Sequence, residues 1–482
     1  MNLRWSEEEE EFRARARAWL SAHVPRELPS GDTREGFARH LDWERALYDA
    51  RWAVVSWPER YGGRDASLWE WLIFEEEYYR AGAPQRVTQN GIFLLAPTLF
   101  EFGTPEQQDA LLPRMAAARD LWCQGWSEPG AGSDLASVRS RAVRDEARGG
   151  WLLSGQKTWT TRGAFCTHLF GLFRTDPDAE RHRGLTYFLV PLDAPGVTVR
   201  GFARLDGDEG FADVFFDEAF VPDSGVLGGA GEGWRVAMAT TGSERGLTLR
   251  SPGRFLAAAE RLVDLYRSRP DPGKQDRVVQ AWVDAYAYQM FTLQQVTAIA
   301  DGKQPGPASS LNKLFWSELD VRLHETAMDL LGPDGEANGP WPKGFLFSLA
   351  GPIYAGTNEV QRNVVAERLL GLPRTGRLYR CVSPWTRPRR HCARRPRTCC
   401  VAISPAWTRH RRGTSWPVSA CSARSFPRTW AGSGWTRTRW CPCWKRSGTA
   451  GCQGPRRRPS RSRLRSSVWP AGSSPCAPAT GT

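Results

Sequence analysis

The feature that most constrains how this 482-residue chain folds is the disappearance of acidic residues from its final 107 positions. From Gly376 to Thr482 there are 23 Lys and Arg, no Asp or Glu, and nine of the 11 cysteines. Arg, Pro, Ser, Trp and Cys follow one another there without a helical or strand period, so no face exists along which a core could be organised. Residues 1–375 are the part expected to fold, and in them 42 basic residues stand against 52 acidic ones, a net charge of −10. The +13 of the whole chain therefore belongs to the tail. A nucleic-acid partner argued from charge would rest on residues 376–482 alone, and the body is read as binding neither nucleic acid nor membrane.

Trp and Cys at the tail's density are foreign to solvated basic arms, and a change of reading frame accounts for them. Trp440-Cys441-Pro442-Cys443-Trp444-Lys445 permits few codons. Read from each third nucleotide, they give Val, Pro or Ser, an aliphatic or Met, Leu and then Glu. With G/C-rich codons, residues 430–454 become in that frame a segment parallel to the chain's own 62–84, a Glu-Glu pair falling on Glu76-Glu77. The tail is thus expected to be the unstructured product of frameshifted read-through into a sister gene. A transcript with one intact frame, and no related protein encoded in the shifted one, would refute this.

The body carries only Cys123 and Cys166, which offers no disulfide framework or thiolate zinc site and fits a reducing compartment. Met1-Asn2-Leu3-Arg4-Trp5 runs into Ser6-Glu7-Glu8-Glu9 without the apolar core of a signal peptide, and no run approaches the ~20 apolar residues of a membrane span. A cytoplasmic protein without a metal is expected.

Ser6 and Glu9 have the spacing of a capping box, and Phe12, Ala16, Trp19 and Leu20 then recur at helical intervals. Further helical periods cover 43–53, 68–79 and 105–118, the first two divided by the turn chemistry of Pro58-Glu59-Arg60-Tyr61-Gly62-Gly63. Between Leu121 and Gly228 the texture becomes short apolar runs, at 169–173, 186–190 and 214–216, separated by Gly, Pro and Asp as in strands. After Gly233 helical periods return, through Arg250 and then at 255–266, 277–299, 313–331 and 358–370. The expected fold is α+β: a helical domain over 1–120, a β domain over 121–230, a helical bundle over 231–375 and the tail over 376–482.

Two stretches carry chemistry. In Trp126-Ser127-Glu128-Pro129-Gly130-Ala131-Gly132-Ser133-Asp134, Pro fixes φ and the glycines permit close backbone approach. Amide N–H groups and the Ser127 and Ser133 hydroxyls can then face an anionic or carbonyl-rich ligand. An ordinary β-turn is the alternative. In Ser154-Gly155-Gln156-Lys157-Thr158-Trp159-Thr160-Thr161 an aromatic plane stands beside hydroxyls at the end of a strand, suited to stacking on a flat heterocycle and donating to its nitrogen. Here a core Trp is the alternative.

Together these stretches resemble the acyl-CoA dehydrogenase family, whose middle domain carries similar Glu-Pro-Gly-x-Gly-Ser-Asp and Gly-x-Lys-x-Trp-x-Thr motifs. The likeness continues at Ile353-Tyr354-Ala355-Gly356-Thr357-Asn358-Glu359-Val360-Gln361-Arg362-Asn363 and Ala366-Glu367-Arg368-Leu369-Leu370, covering residues 1 to about 374. The resemblance implies helical, β and helical domains with FAD and an acyl-CoA thioester bound between them. By it, Ser127 and Thr161 hydrogen-bond the flavin, Trp159 packs beside it, Ser133 lies towards the thioester, and Thr357 and Glu359 line the FAD site. Arg277 is the candidate for the FAD pyrophosphate, and Asp329 stands where some relatives carry Gln.

The reaction implied is FAD-dependent α,β-dehydrogenation: a carboxylate removes the α-proton while the β-hydrogen leaves as hydride to the flavin. Many relatives place that base immediately before Gly-Thr, where this chain has Ala355, whose methyl group accepts no proton. Others, including isovaleryl-CoA dehydrogenase, use the Glu of a Glu-Arg pair on an earlier helix, matched here by Glu244-Arg245. Glu244 is the expected base, against the alternative of a salt-bridged helix residue, while Arg245 either positions the substrate or supports the helix. The implied partners are an electron-transferring flavoprotein and further subunits, either identical copies or a sister chain. The competing reading is a non-catalytic scaffold subunit of a heteromeric acyl-CoA dehydrogenase.

Overall fold

A computed structural model describes residues 4–245, 251–303, 306–337 and 339–373, the side chains of 243–245 excepted. The tail expected to be unstructured lies outside the described residues.

Helix α1 (Glu7–His23) opens on the capping box: Glu9 N donates to the Ser6 hydroxyl and Ser6 N to the Glu9 carboxylate. Four glutamates in its first turn sit at the positive end of the helix dipole. Helix α2 (Arg34–Asp49) differs from the expected 43–53: it is capped by Thr33 and ends at Asp49. Arg51 turns to φ 60°, the N–H groups of Trp52 and Ala53 both go to Leu47 O, and residues 52–55 pass into the core as irregular chain. Helix α3 (Leu68–Arg80) starts on a second capping box, Ser67 with Glu70.

A π-helical stretch, Asn90–Leu95, then leads into α4 (Ala96–Phe102). Ala96 N bonds Gly91 O, and Pro97 has no N–H to give to Phe93 O, so the widened turn falls where an α-helical register would lose a bond. The sequence periods did not predict α4 or this turn. Helix α5 (Pro105–Ala116) is capped by Thr104 and Gln107.

Eight strands follow: β1 (Trp122–Gly125), β2 (Arg141–Asp145), β3 (Gly150–Thr161), β4 (His168–Arg174), β5 (Leu185–Pro191), β6 (Val197–Phe202), β7 (Phe211–Pro222) and β8 (Val226–Leu227). They form one sheet in the order β6-β7-β3-β2-β4-β5-β8, with β1 joined in parallel to β4. The long antiparallel β3–β7 pair has two irregularities, between Leu153 and Gly155 and between Lys157 and Thr160. The second re-aims Trp159, as bulges do.

The remaining helices are α6 (Gly233–Arg245), α7 (Pro252–Ser268), α8 (Gln275–Ala300), α9 (Ser309–Leu331), α10 (Pro340–Ser348) and α11 (Asn358–Val364). The period at 358–370 is split, because α11 gives way to π-helical turns over Val365–Leu369. One core joins the N-terminal helices to the sheet and to α6 through Trp43, Phe74, Phe170, Tyr187 and Val236. A second lies inside the β domain around Leu153, Phe173 and Phe216, and a third among the C-terminal helices around Phe255, Trp316 and Leu323. Helical, β and helical layers therefore follow in the order read from the sequence.

Candidate active site

The two β-domain motifs meet at one corner. Thr158 N donates to Ser127 O at 2.9 Å, joining β3 to the turn that follows β1. Beneath that joint Lys157, fully buried, donates to Glu128 Oε1 at 2.8 Å and to Leu172 O at 2.7 Å. Glu128 accepts two more bonds, from Arg139 N at 2.6 Å and Ser140 N at 2.9 Å. Burial alone would raise the Glu128 carboxyl, but Lys157 and the two backbone N–H groups outweigh it and hold the group below the usual carboxylate range. Burial also pulls the Lys157 ammonium down, against the attraction of Glu128.

On this base Trp159 stands out from the strand. It is 62% exposed, its backbone is in the left-handed region at φ 56°, and its ring is held edge-on by Phe202 at 5.3 Å and Phe211 at 5.5 Å. A large side chain at positive φ is strained and persists where the surroundings over-determine it. Here the ladder does so, pairing Lys157 with Val214 on one side and Thr160 with Ala212 on the other. Thr161, half-buried, ends the strand opposite Phe211. The next residue, Arg162, also has positive φ, and its Nε reaches Asp32 Oδ1 at 2.6 Å, tying the end of β3 to the N-terminal helices. Burial opposes the Asp32 charge, but Arg162 and Arg204 together hold its carboxyl below the usual range.

In the turn, Gly130, Gly132 and Ser133 are exposed, and a Cβ on either glycine would meet nothing within 4 Å. Asp134 is bound to Arg181 at 2.6 Å.

The C-terminal residues are placed as follows. Thr357 caps α11, accepting from Val360 N at 3.3 Å, and Glu359 is exposed in its first turn. Its own backbone N–H and the Thr357 hydroxyl hold the Glu359 carboxyl below the usual range. Ala355 and Gly356 both have positive φ, and Gln361 Nε2 secures the bend by donating to Ala355 O at 2.8 Å. Arg277 on α8 forms an ion pair with Asp329 on α9, both half-exposed. Glu244 and Arg245 are the last residues of α6, and their side chains lie outside the described residues. Helix α6 is held against α4 by Thr240 and Thr98, their hydroxyl oxygens 2.9 Å apart.

The structure thus joins Ser127, Trp159 and Thr161 at one corner, while Thr357 and Glu359 belong to α11. Sequence reasoning singled out Ser127, Trp159 and Thr161 and missed what holds that corner: Glu128, Lys157, Asp32 and Arg162. A signal was present for the first two, since one motif carries the acidic Glu128 and the other the basic Lys157.

Models of the N-terminal, middle and C-terminal domains of acyl-CoA dehydrogenases match residues 6–119, 123–219 and 231–370. The chain belongs to the acyl-CoA dehydrogenase family. It is 42% identical over 382 residues to acyl-CoA dehydrogenase IpdE1 of Mycobacterium tuberculosis (strain ATCC 25618 / H37Rv), a match that covers 76% of this chain and 98% of the relative. Among solved structures it resembles the Tcur3481-Tcur3483 steroid ACAD at 27% identity and TM-score 0.69, over 78% of this chain and 100% of that one. It also resembles the ChsE4-ChsE5 complex from Mycobacterium tuberculosis at 27% identity and TM-score 0.66, over the same shares. Acyl-CoA dehydrogenases are FAD-dependent oxidoreductases of lipid metabolism, and α,β-dehydrogenation of an acyl-CoA thioester is the chemistry of this family. Among the described residues, no helix is long and apolar enough to cross a membrane.

Proposed function

We propose that this acyl-CoA dehydrogenase binds FAD and introduces a double bond between Cα and Cβ of a bulky, cyclic acyl-CoA, working in the cytoplasm as one subunit of a mixed oligomer. The observation that carries the reading is Trp159: an exposed aromatic plane, strained in its backbone and clamped by Phe202 and Phe211. Together with the open space over Gly130 and Gly132, it fits a flat heterocycle.

FAD, when bound, supplies the two-electron acceptor for the β-hydrogen. Ser127 and Thr161 donate hydrogen bonds to it beside the Trp159 plane, and Thr357 and Glu359 line its site from α11. Ser133 faces the thioester. Glu244 takes the α-proton, and Arg245 positions the acyl group. The Lys157–Glu128 pair fixes the distance between the two motifs, so that the hydroxyls are oriented before substrate arrives. Arg277 reaches the FAD pyrophosphate only by leaving Asp329, which favours a sister subunit completing that contact. The ChsE4-ChsE5 complex supports a mixed assembly, and the steroid ACAD supports the cyclic substrate class. An electron-transferring flavoprotein reoxidises the enzyme.

The test is co-expression with the reading frame that the tail enters, followed by absorbance and anaerobic titration with acyl-CoA thioesters. A flavin spectrum that bleaches with a cyclic acyl-CoA is expected. A second reading, a scaffold subunit without catalysis, is favoured by Ala355 and by the Arg277–Asp329 pair. Protein that remains colourless with its neighbour and excess FAD would select it.

A further inference from the structure

The N-terminal helices enclose a cavity of about 190 Å³ that none of the assigned residues uses. Ala53 and Val55 line it from the irregular chain after α2, Phe74 from α3, and Ile92, Phe93 and Phe100 from the π-helical stretch and α4. Two ionisable residues share the lining, Glu75 and Arg86, each only 4% exposed. Arg86 is committed to Glu44, its Nε and a second nitrogen both 2.7 Å from Oε2. Among the described residues Glu75 forms no ion pair of its own. Its hydrogen-bond partner is Ser251, and burial, set against the more distant Arg86, lifts its carboxyl to about 7.

Two of its lining residues lie on an element that packs against the helix carrying the proposed base. Ile92 and Phe93 belong to the widened helix that packs on α6, the helix that ends in Glu244 and Arg245. Ser251 starts α7 and accepts from Gly253 N at 3.2 Å. Gly253 lets α7 approach α3 so closely that a Cβ there would lie 2.7 Å from Glu75 O. Two of the lining elements, α3 and the π-helical stretch, thus pack in turn on α7 and α6. Its chemistry is that of a ligand site, mostly apolar with a few polar groups, among them Glu75 and the paired Arg86. Its size is that of a ring, since an apolar cavity of ~150 Å³ holds benzene.

We propose that this cavity receives a ring of a cyclic acyl group and that the Glu75 carboxyl hydrogen-bonds an oxygen substituent on that ring. The inference rests on the acyl-CoA dehydrogenase reading above and adds to it the class of substrate: a ring-bearing thioester with a hydroxyl or ketone remote from the thioester carbon. Glu75 is then a specificity-determining residue, because leaving a site's hydrogen-bonding group without its partner costs far more than losing apolar contact.

The test uses the co-expressed holoprotein and two alicyclic acyl-CoA thioesters that differ only in a ring oxygen. Glu75→Leu is expected to lower kcat/KM for the oxygenated thioester at least about tenfold and to leave the deoxy compound within about twofold. Glu75→Gln, which keeps shape and a donor, should preserve most of the discrimination. Ala53→Leu fills the cavity from a second position and should abolish turnover of both ring compounds while sparing a short straight-chain thioester. Unchanged ratios in folded Glu75→Leu and full ring turnover in Ala53→Leu would overturn the inference with the dehydrogenase reading intact. A wild-type holoprotein that bleaches with no acyl-CoA would overturn that reading itself, and this inference with it.

Discussion

Two buried glutamates, one in the β domain and one in the N-terminal helices, are driven in opposite directions. Glu128 accepts from Lys157 and from two backbone N–H groups, and remains a carboxylate. Glu75 is the more deeply buried and faces a mostly apolar cavity, the Arg86 guanidinium beside it already bound to Glu44, and its carboxyl rises to about 7. Burial is common to both; the number of donors aimed at the carboxylate decides which protonation state survives. In the β domain the charge is used to lock two motifs together, and in the helices a carboxyl that titrates near neutrality faces the cavity.

The largest effect that would test this contrast is expected at the locked pair. Lys157→Met leaves Glu128 buried without its cation and should cost about 3–5 kcal/mol of stability in chemical denaturation. The double variant with Glu128→Gln should recover part of it, since no orphan charge then remains. A Lys157→Met protein as stable as the parent would end the view of this pair as a lock.

Somewhat smaller is the pH effect of Glu75. Its folded value lies above the ordinary 4.5, so the stability it contributes is complete below pH 4.5 and is lost as pH rises to about 7, a total of about 3 kcal/mol. Glu75→Gln should flatten that slope, with the larger gain over wild type at pH 8 than at pH 5. Arg86 and Ser251 are the groups that act on it, both lowering the value that burial raises. Glu128 has the opposite sign: its contribution is present above the ordinary carboxylate value and is lost as pH falls through its depressed one. Equal slopes in Glu75→Gln and wild type would show that Glu75 is ionised in the folded protein.

A third carboxylate, Glu244, needs neither extreme, because a base must exchange its proton near working pH. Glu244→Gln is expected to keep the flavin spectrum and lose roughly two orders of magnitude in turnover, about 2.7 kcal/mol. Normal turnover would assign the base elsewhere. The smallest effect is expected at the half-exposed Arg277–Asp329 pair, where Arg277→Ala should change stability by no more than about 1 kcal/mol. A much larger loss, or a loss of FAD from the holoprotein, would show that Arg277 does more than pair with Asp329.

Much of this was legible in the residues. Capping boxes at Ser6, glycines beside Pro129, and apolar runs such as 169–173 are local signals, and each led to the right element. The motifs led to Ser127, Trp159 and Thr161 because their spacing is local as well. What escaped is non-local. The start of α2 at Arg34 was hidden by a weakly apolar first turn, α4 by the π-helical stretch that shifts its period, and the partners of Lys157 and Arg162 by sequence separations of 29 and 130. The Glu75 cavity is built from four separate stretches of chain, and no window of sequence contains it. Ala355 was the exception: one methyl group in a recognisable setting is what led to Glu244 as the proposed base.

The widened turn at Asn90–Leu95 has an evolutionary corollary. An α-helix rotates about 100° per residue, so a one-residue deletion there would restore regular winding and swing Ile92 and Phe93 relative to α4. A single indel could thus remodel the hydrophobic container in descendants of this gene, leaving the β-domain corner and its strained tryptophan untouched.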